Sequence, residues 1–332
     1  MTMKIIDCTL RDGGNQNNWN FSTKDAKHIV SKLDKSGIDI IEIGYIGGSG
    51  SNQSSNTGIF NHLTASIIQN MPKLKQSKYA AMIVASNLEE IDYEDLQKAN
   101  IEWLRIASYP HDIEKIYKKL TKFKQMGFNI SVNLMSASYI EVDLLRGIVG
   151  KLNQLNIDLL CIADSFGHFL PEDVTEIFTE LSKIAHFDLG FHGHNNLGLA
   201  FANVLAAINA GATFVDTSLC SMARGAGNLA TEQLGAYAFR KGTTTIDLHE
   251  LIVIAEFVRT DILEKDLKIG QPELVTGIGN LHYYYYDLLQ NFENKEALLT
   301  LAVQLGKRKP KKVSTEYIES LLNKNGGKYE EI

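Results

Sequence analysis

Two histidines two residues apart, His192 and His194 in the stretch HGHNN, and an aspartate beside an arginine, Asp12 and Arg11 in DCTLRDGG, are the side chains best suited to chemistry. Residues i and i+2 of a β-strand project from one face, so a strand through 189–194 presents both imidazoles together, as chelation of one ion requires. Asp12 would add a hard anionic oxygen. Nitrogen and oxygen donors without cysteine suit a divalent ion, with Mn2+ the first expectation and Mg2+, Co2+ or Zn2+ the others, and leave positions open for substrate oxygens. Arg11 would point into the same space, where a fixed guanidinium stabilises a carboxylate or an enolate. A salt bridge at a rim is the plainer use of that residue.

These groups need a scaffold, and short apolar runs alternate with amphipathic segments up to about residue 240. The runs are Lys4 to Thr9, Ile38 to Ile43, Tyr79 to Val84, Trp103 to Ala107, Asn129 to Asn133, Asp158 to Ala163, Leu189 to His194 and Thr213 to Ser218. Continuous apolarity in most of them fits parallel strands covered on both faces. Between the first two, Ala26, Ile29, Val30 and Leu33 repeat at helical spacing with Gly37 as a stop, and similar helices follow Pro171 and Gly198. Eight such units imply a closed (β/α)8 barrel in preference to a doubly wound sheet.

In such a barrel the site forms at the carboxyl ends of the strands. That rule selects Arg11 and Asp12 after the first run, Glu42 and Tyr45 at the second, Asn133 at the fifth, and Asp164 and Ser165 at the sixth. It adds His192 and His194 at the seventh, and Ser218 and Asn228 after the eighth. The long connection from Gly44 to Gly58 reads as a lid or a solvent loop. Beyond the barrel, placed at 1–245, Leu248 to Leu263 and Phe292 to Leu305 read as helices with no strand between, giving a helical C-terminal extension over 246–332. Its tract HYYYY, from His282 to Tyr286, suits packing or an interface.

Composition bounds the partners. The 332 residues, 44% apolar and 22% charged, describe an ordinary globular chain. A net charge of −6 argues against general attraction to nucleic acid, and the basic run Lys307 to Lys312 reads as a solvated face. Cys8, Cys161 and Cys220 form no CxxC pair, which favours a reducing compartment. No stretch approaches the roughly 18 to 20 apolar residues of a membrane span, and no leader is evident, so a soluble cytoplasmic protein is expected.

Three motifs, DCTLRDGG at 7–14, HGHNNLGLAFAN at 192–203 and DTSLCSMARGAGNLATE at 216–232, resemble the metal-dependent aldolase, lyase and acyl-CoA condensing superfamily, the HMGL-like or DRE-TIM metallolyases. Within it the 4-hydroxy-2-oxovalerate aldolase branch is most similar. The resemblance implies that Asp12, His192 and His194 hold the metal, that Arg11 stabilises the enolate, and that Asn228 ligates or supports the ion. Asn15 stands where that branch carries a histidine base, and the branch's assisting tyrosine falls in the stretch 282–284, which makes His282 and Tyr283 the catalytic candidates. Asn15, Tyr45, Asn133, Asp164, Ser165, Ser218 and Arg224 are expected to bind substrate, with Arg224 reading an extra anionic group. Cys220 does not match the cysteine loop of the lyase branch. The implied reaction cleaves or forms a carbon–carbon bond of a 4-hydroxy-2-oxo acid through a pyruvate-type enolate. Condensation of an acyl-CoA with a 2-oxo acid, as in isopropylmalate synthase, and a non-catalytic partner barrel are the alternatives. A small 2-oxo acid, and an aldehyde dehydrogenase or a second copy docked on the extension, are the implied partners.

Overall fold

A computed structural model describes residues 3–49, 56–88, 96, 98–243, 245–289 and 298–309. Its eight parallel strands are β1 (Lys4–Asp7), β2 (Ile40–Tyr45), β3 (Lys78–Val84), β4 (Trp103–Ser108), β5 (Asn129–Leu134), β6 (Leu159–Asp164), β7 (Asp188–Gly193) and β8 (Phe214–Thr217). They close in sequence order into a barrel, with Ile5 of β1 in register with Val215 of β8. Each coincides with an apolar run. β2, β4 and β6 are buried at every position, as strands covered on both faces must be.

The helices that cover the strands are α1 (Thr23–Ser36), α2 (Ala65–Gln69), α3 (Ile113–Gln125), α4 (Val142–Leu152), α5 (Pro171–Ser182), α6 (Ala200–Asn209) and α7 (Thr231–Lys241). The Ser22 hydroxyl caps α1 by accepting the Asp25 N–H at 3.1 Å, and Ala26, Ile29, Val30 and Leu33 turn inward against the strands.

Inside the barrel the side chains are graded along its axis. Ile6, Ile40, Trp103, Leu159 and Phe214 form an apolar plug at the amino ends. Two residues further along the same strand faces, Cys8, Glu42, Arg105, Cys161 and Asp216 form a buried, largely ionic layer. Above that layer stand Asn133, His192 and His194, at the mouth. The layer of buried charge thus begins directly above the apolar plug.

The C-terminal region is helical: α8 (Leu248–Phe257), α9 (Gln271–Ile278), α10 (Tyr284–Leu289) and α11 (Leu298–Gly306). α8 lies against α1, where Glu250 receives Lys32 at 2.6 Å and also Lys35. The helix expected to run to Leu263 ends at Phe257 and gives way to one π-helical turn, Val258–Ile262. α9 reaches over the mouth: Asn196 Nδ2 donates to Thr276 Oγ1 at 3.1 Å, and His168 Nδ1 meets the Gly277 carbonyl at 2.7 Å. Tyr139 donates to the Asn280 carbonyl at 2.8 Å. Residues 50–55 of the expected lid, 292–297 of the expected last helix and 310–312 of the basic run lie outside the described residues. Among the described residues no helix is long and apolar enough to cross a membrane.

Asp34, in the last turn of α1, anchors the approach to β3. Its carboxylate accepts the backbone N–H groups of Lys75 at 3.0 Å, Gln76 at 2.9 Å and Ser77 at 2.8 Å. Burial would raise its pKa, but those three donors outweigh it and lower the value. A lowered folded-state pKa stabilises the fold above the ordinary carboxylate range and loses that contribution as pH falls through the folded value. Asp34→Ala is therefore expected to cost about 1–3 kcal/mol at neutral pH by chemical denaturation. The gap from the parent protein should narrow as the pH is lowered through 4; a gap that widens would contradict this assignment.

Candidate active site

β1 ends one turn before Arg11 and Asp12, and Trp19 fixes that turn by donating its indole N–H to the Arg11 carbonyl at 2.6 Å. Gly14 is required beneath the indole, since a Cβ there would lie 2.1 Å from Trp19 Cδ1. With its backbone pinned, Arg11 extends into the mouth, where Nε donates to Glu42 at 2.7 Å and Nη1 pairs with Asp12 Oδ1 at 3.0 Å. Tyr45 adds a contact at 3.4 Å from Arg11 Nη1 and packs its ring edge-on to Trp19.

Asp12 Oδ2 lies 3.5 Å from His192 Nε2 and 4.0 Å from His194 Nε2, and the two imidazole nitrogens are 3.4 Å apart. One ligand atom from each of the three lies within 4.8 Å of the others, so one small cation can be shared among them. Their protonation states suit that use. Burial would raise the Asp12 pKa, but the Arg11 guanidinium outweighs it and holds the carboxyl well below its usual range. Burial first, and then Arg224, push His194 well below the ordinary imidazole value, so its ring is neutral, as a ligand must be.

His192 is oriented from behind. Its Nδ1 lies 3.0 Å from Asp216 Oδ2, and since a carboxylate only accepts, Nδ1 carries a proton and Nε2 is the nitrogen turned toward Asp12. Asp216 is held by both oxygens to Arg105 Nη2, at 2.8 and 2.7 Å, and Arg105 Nη1 reaches Glu42 at 3.1 Å. Glu42 is the partner of Arg11. A single buried ionic chain, Arg11–Glu42–Arg105–Asp216–His192, therefore links the arginine at the mouth to the imidazole that faces Asp12.

Asn228 approaches from the other side. The loop after β8 forms an isolated bridge between Asn228 and His194, and Asn228 Nδ2 donates to Asp12 Oδ2 at 2.9 Å. Its buried Oδ1 has no hydrogen-bond partner, and an orphaned amide oxygen beside a carboxylate and two imidazoles is what a further hard donor to a cation would be. The loop is tightly wound to place it. Cys220 and Ser221 both have positive φ, and Gly227, at φ 80°, admits no side chain, because a Cβ would stand 2.1 Å from the Ser221 carbonyl.

The other expected residues are distributed unevenly. Asn15 Nδ2 donates to the Asp12 carbonyl at 2.8 Å and to Asp12 Oδ1 at 3.3 Å, so its amide supports the aspartate. Asn133 faces inward on β5, accepting from Ser131 at 2.9 Å. The Asp164 carboxylate is taken up by its own loop, through the N–H groups of His168 at 2.9 Å and Phe169 at 3.0 Å, and burial pushes its pKa up to about 6. Ser165 Oγ accepts the Ser136 N–H at 2.9 Å. Ser218 is fully buried behind the mouth. From the extension, His282 stands edge-on to Phe166, and Tyr283 packs over Gly225. Arg224 Nη1 meets His282 Nε2 at 2.9 Å.

Cys8 and Cys161 are buried in the ionic layer with thiol pKa values well above the ordinary value, chiefly through burial, and burial also pushes Cys220 up to about 12. Cys220 turns to the Ala255 carbonyl of α8 and away from the mouth. None is a ready nucleophile. Arg105 and Asp216 were not selected from sequence as site residues. Their signal was present: a charged residue inside an otherwise apolar strand run, WLRIAS or FVDT, must find an internal partner.

A family model described as HMGL-like matches residues 2–258. A 4-hydroxy-2-oxovalerate aldolase of Geobacillus genomosp. 3 is 29% identical over 282 residues, 84% of this chain and 83% of its own. An oxaloacetate decarboxylase of Mycobacterium tuberculosis is 30% identical over 260 residues, 78% of this chain and 76% of its own. Among solved structures, an N-terminal domain from Bacteroides vulgatus is 28% identical with a TM-score of 0.79, covering 89% of this chain and 99% of that one. The HMG-CoA lyase of Bacillus subtilis, 17% identical with a TM-score of 0.68 over 82% of this chain and 97% of its own, shares the fold. Barrel and mouth together define a (β/α)8 enzyme of the lyase and aldolase class. The chain belongs to the HMGL-like family.

Removing single links of the ionic chain separates its roles. Asp216→Asn is expected to weaken Mn2+ binding by roughly 10- to 100-fold by calorimetric titration while the far-ultraviolet spectrum stays unchanged; undiminished affinity would remove Asp216 from the metal's support. Arg105→Met, which leaves Asp216 buried without its cation and Glu42 with Arg11 alone, is expected to destabilise the fold by about 3–5 kcal/mol in denaturant.

Proposed function

We propose that the protein is a metal-dependent carbon–carbon lyase that cleaves, or in reverse forms, the aldol bond of a 4-hydroxy-2-oxo acid. The observation that carries this reading is the convergence of Asp12 Oδ2, His192 Nε2 and His194 Nε2 beside a guanidinium, Arg11, that is locked in place by Glu42. These residues fit a divalent ion, Mn2+ first, and the partnerless Asn228 Oδ1 fits it as a further oxygen donor. Such an ion would polarise the 2-oxo group and draw charge from the bond that breaks.

The chain's own residues do the rest. Arg11, pre-aligned in a site shielded from water, donates to the oxygen on which negative charge grows as the bond breaks. Tyr45 steadies that guanidinium at Nη1, the nitrogen that also pairs with Asp12. Asn133 faces the mouth from β5 as an amide contact for substrate, whereas Asp164 and Ser218 serve the scaffold. Asn15 takes no part in proton transfer, because its amide holds Asp12. The proton path is assigned to the extension, where His282 and Tyr283 stand over the loops after β6 and β8. The names of the aldolase and decarboxylase relatives support a substrate of the small 2-oxo acid class.

Protein stripped of metal should release no pyruvate from a panel of 4-hydroxy-2-oxo acids, and added Mn2+ should restore release. Asp12→Ala should lose that restoration by at least about 100-fold, as expected when a ligand and its charge are removed together. Thiol release from an acyl-CoA and a 2-oxo acid, with no pyruvate from any aldol, would replace this reading with a condensing enzyme.

A further inference from the structure

Three arginines stand in or over the mouth, and two have their charges matched. Arg11 contacts Glu42 and Asp12, and Arg105 contacts Glu42 and Asp216. Arg224 makes no ion pair among the described residues. Its guanidinium is held by two neutral acceptors, His282 Nε2 at 2.9 Å from Nη1 and the Ser165 carbonyl at 3.1 Å from Nη2.

Those two contacts fix where the charge lies. Arg224 starts on the loop after β8, and Ser165 immediately follows β6. β7, which leads into His192 and His194, lies between those two strands in the barrel. The side chain of Arg224 therefore crosses over the strand that presents the imidazoles. Asp164, the other carboxylate at these strand ends, is engaged by the backbone of its own loop.

The charges beneath Arg224 sum to one negative charge, and they balance without Arg224 once a cation and a substrate are bound. Asp12, Glu42 and Asp216 bring three negative charges against the two positive charges of Arg11 and Arg105. A divalent cation and one singly charged 2-oxo acid bring that set to neutrality. Arg224 then remains, half-buried and within electrostatic reach of Asp12 but in no ion pair among the described residues, so its charge is open to an anionic ligand.

We propose that Arg224, steadied by His282 and Ser165, is a distal anion subsite, and that the substrate is a 2-oxo acid carrying a second anionic group, carboxylate or phosphate, at the end remote from the metal. This rests on the reading of the mouth as a 2-oxo acid site. Burial first, and then Arg224, push the His282 pKa down to about 3.

Binding of unreactive 2-oxo acids to the Mn2+-loaded protein tests this without requiring turnover. Calorimetric titration would compare 2-oxobutyrate, whose tail is neutral, with 2-oxoglutarate and 3-phosphonopyruvate, whose second groups are a carboxylate and a phosphonate. At least one dianion is expected to bind roughly 30-fold tighter than 2-oxobutyrate, and which one does so identifies the anion. That preference should fall close to parity in Arg224→Met and be partly kept in Arg224→Lys. Equal binding of all three acids overturns the proposal and leaves the 2-oxo acid reading standing, whereas no binding of any overturns both. A preference that persists in Arg224→Met overturns the assignment to Arg224, and an unchanged melting temperature establishes that this variant is folded.

Discussion

The contact on which the site depends is the two-oxygen pairing of Asp216 with Arg105 at the centre of the barrel. Neither group reaches solvent, so each would be untenable there alone. Burying such a pair seldom stabilises a fold more than apolar side chains of the same volume would. Its value here is directional. Asp216, fixed by Arg105, dictates which nitrogen of His192 carries the proton. Glu42, fixed by the same arginine, dictates where Arg11 points. One guanidinium thus sets the chemistry of one imidazole and the aim of another guanidinium.

Around that pair the barrel supplies what an ionic layer needs. Below it the apolar plug of Ile40, Trp103, Leu159 and Phe214 keeps water from the amino ends. Above it the parallel arrangement delivers every strand's carboxyl end to the same opening, so that β1, β7 and the loop after β8 each contribute a donor to one point. Left-handed backbone marks that last loop, at Cys220 and Ser221, and also the turn after β1, at Asn18 and Trp19, and Gly227 passes too close to Ser221 for a side chain. The bridge between Asn228 and His194 holds the strained loop in place.

Relatives named for an aldol cleavage and for a decarboxylation match most of this chain, and a lyase acting on a coenzyme A ester shares its barrel. A common barrel does not select among them. Over this mouth lie Asn15 bound to Asp12, Arg224 crossing β7 with no acidic partner among the described residues, and the extension, which brings His282 and Tyr283 onto the loops. These positions are set by long-range contacts and not by any one strand.

Much of the barrel was legible in the chain itself, because a parallel strand buried on both faces must be an uninterrupted apolar run and a covering helix must repeat its apolar residues at helical spacing. The spacing of His192 and His194 and the adjacency of Arg11 and Asp12 were legible for the same local reason. Tertiary structure decided the rest. Nothing in the run WLRIAS says that its arginine meets Asp216, 111 residues away, or that the Asp164 carboxylate turns back to its own loop while Asn228 comes to Asp12. Periodicity reports which face of an element is buried, a property of neighbouring residues. Which charges meet inside that buried space depends on barrel closure, and closure brings together residues that sequence leaves far apart.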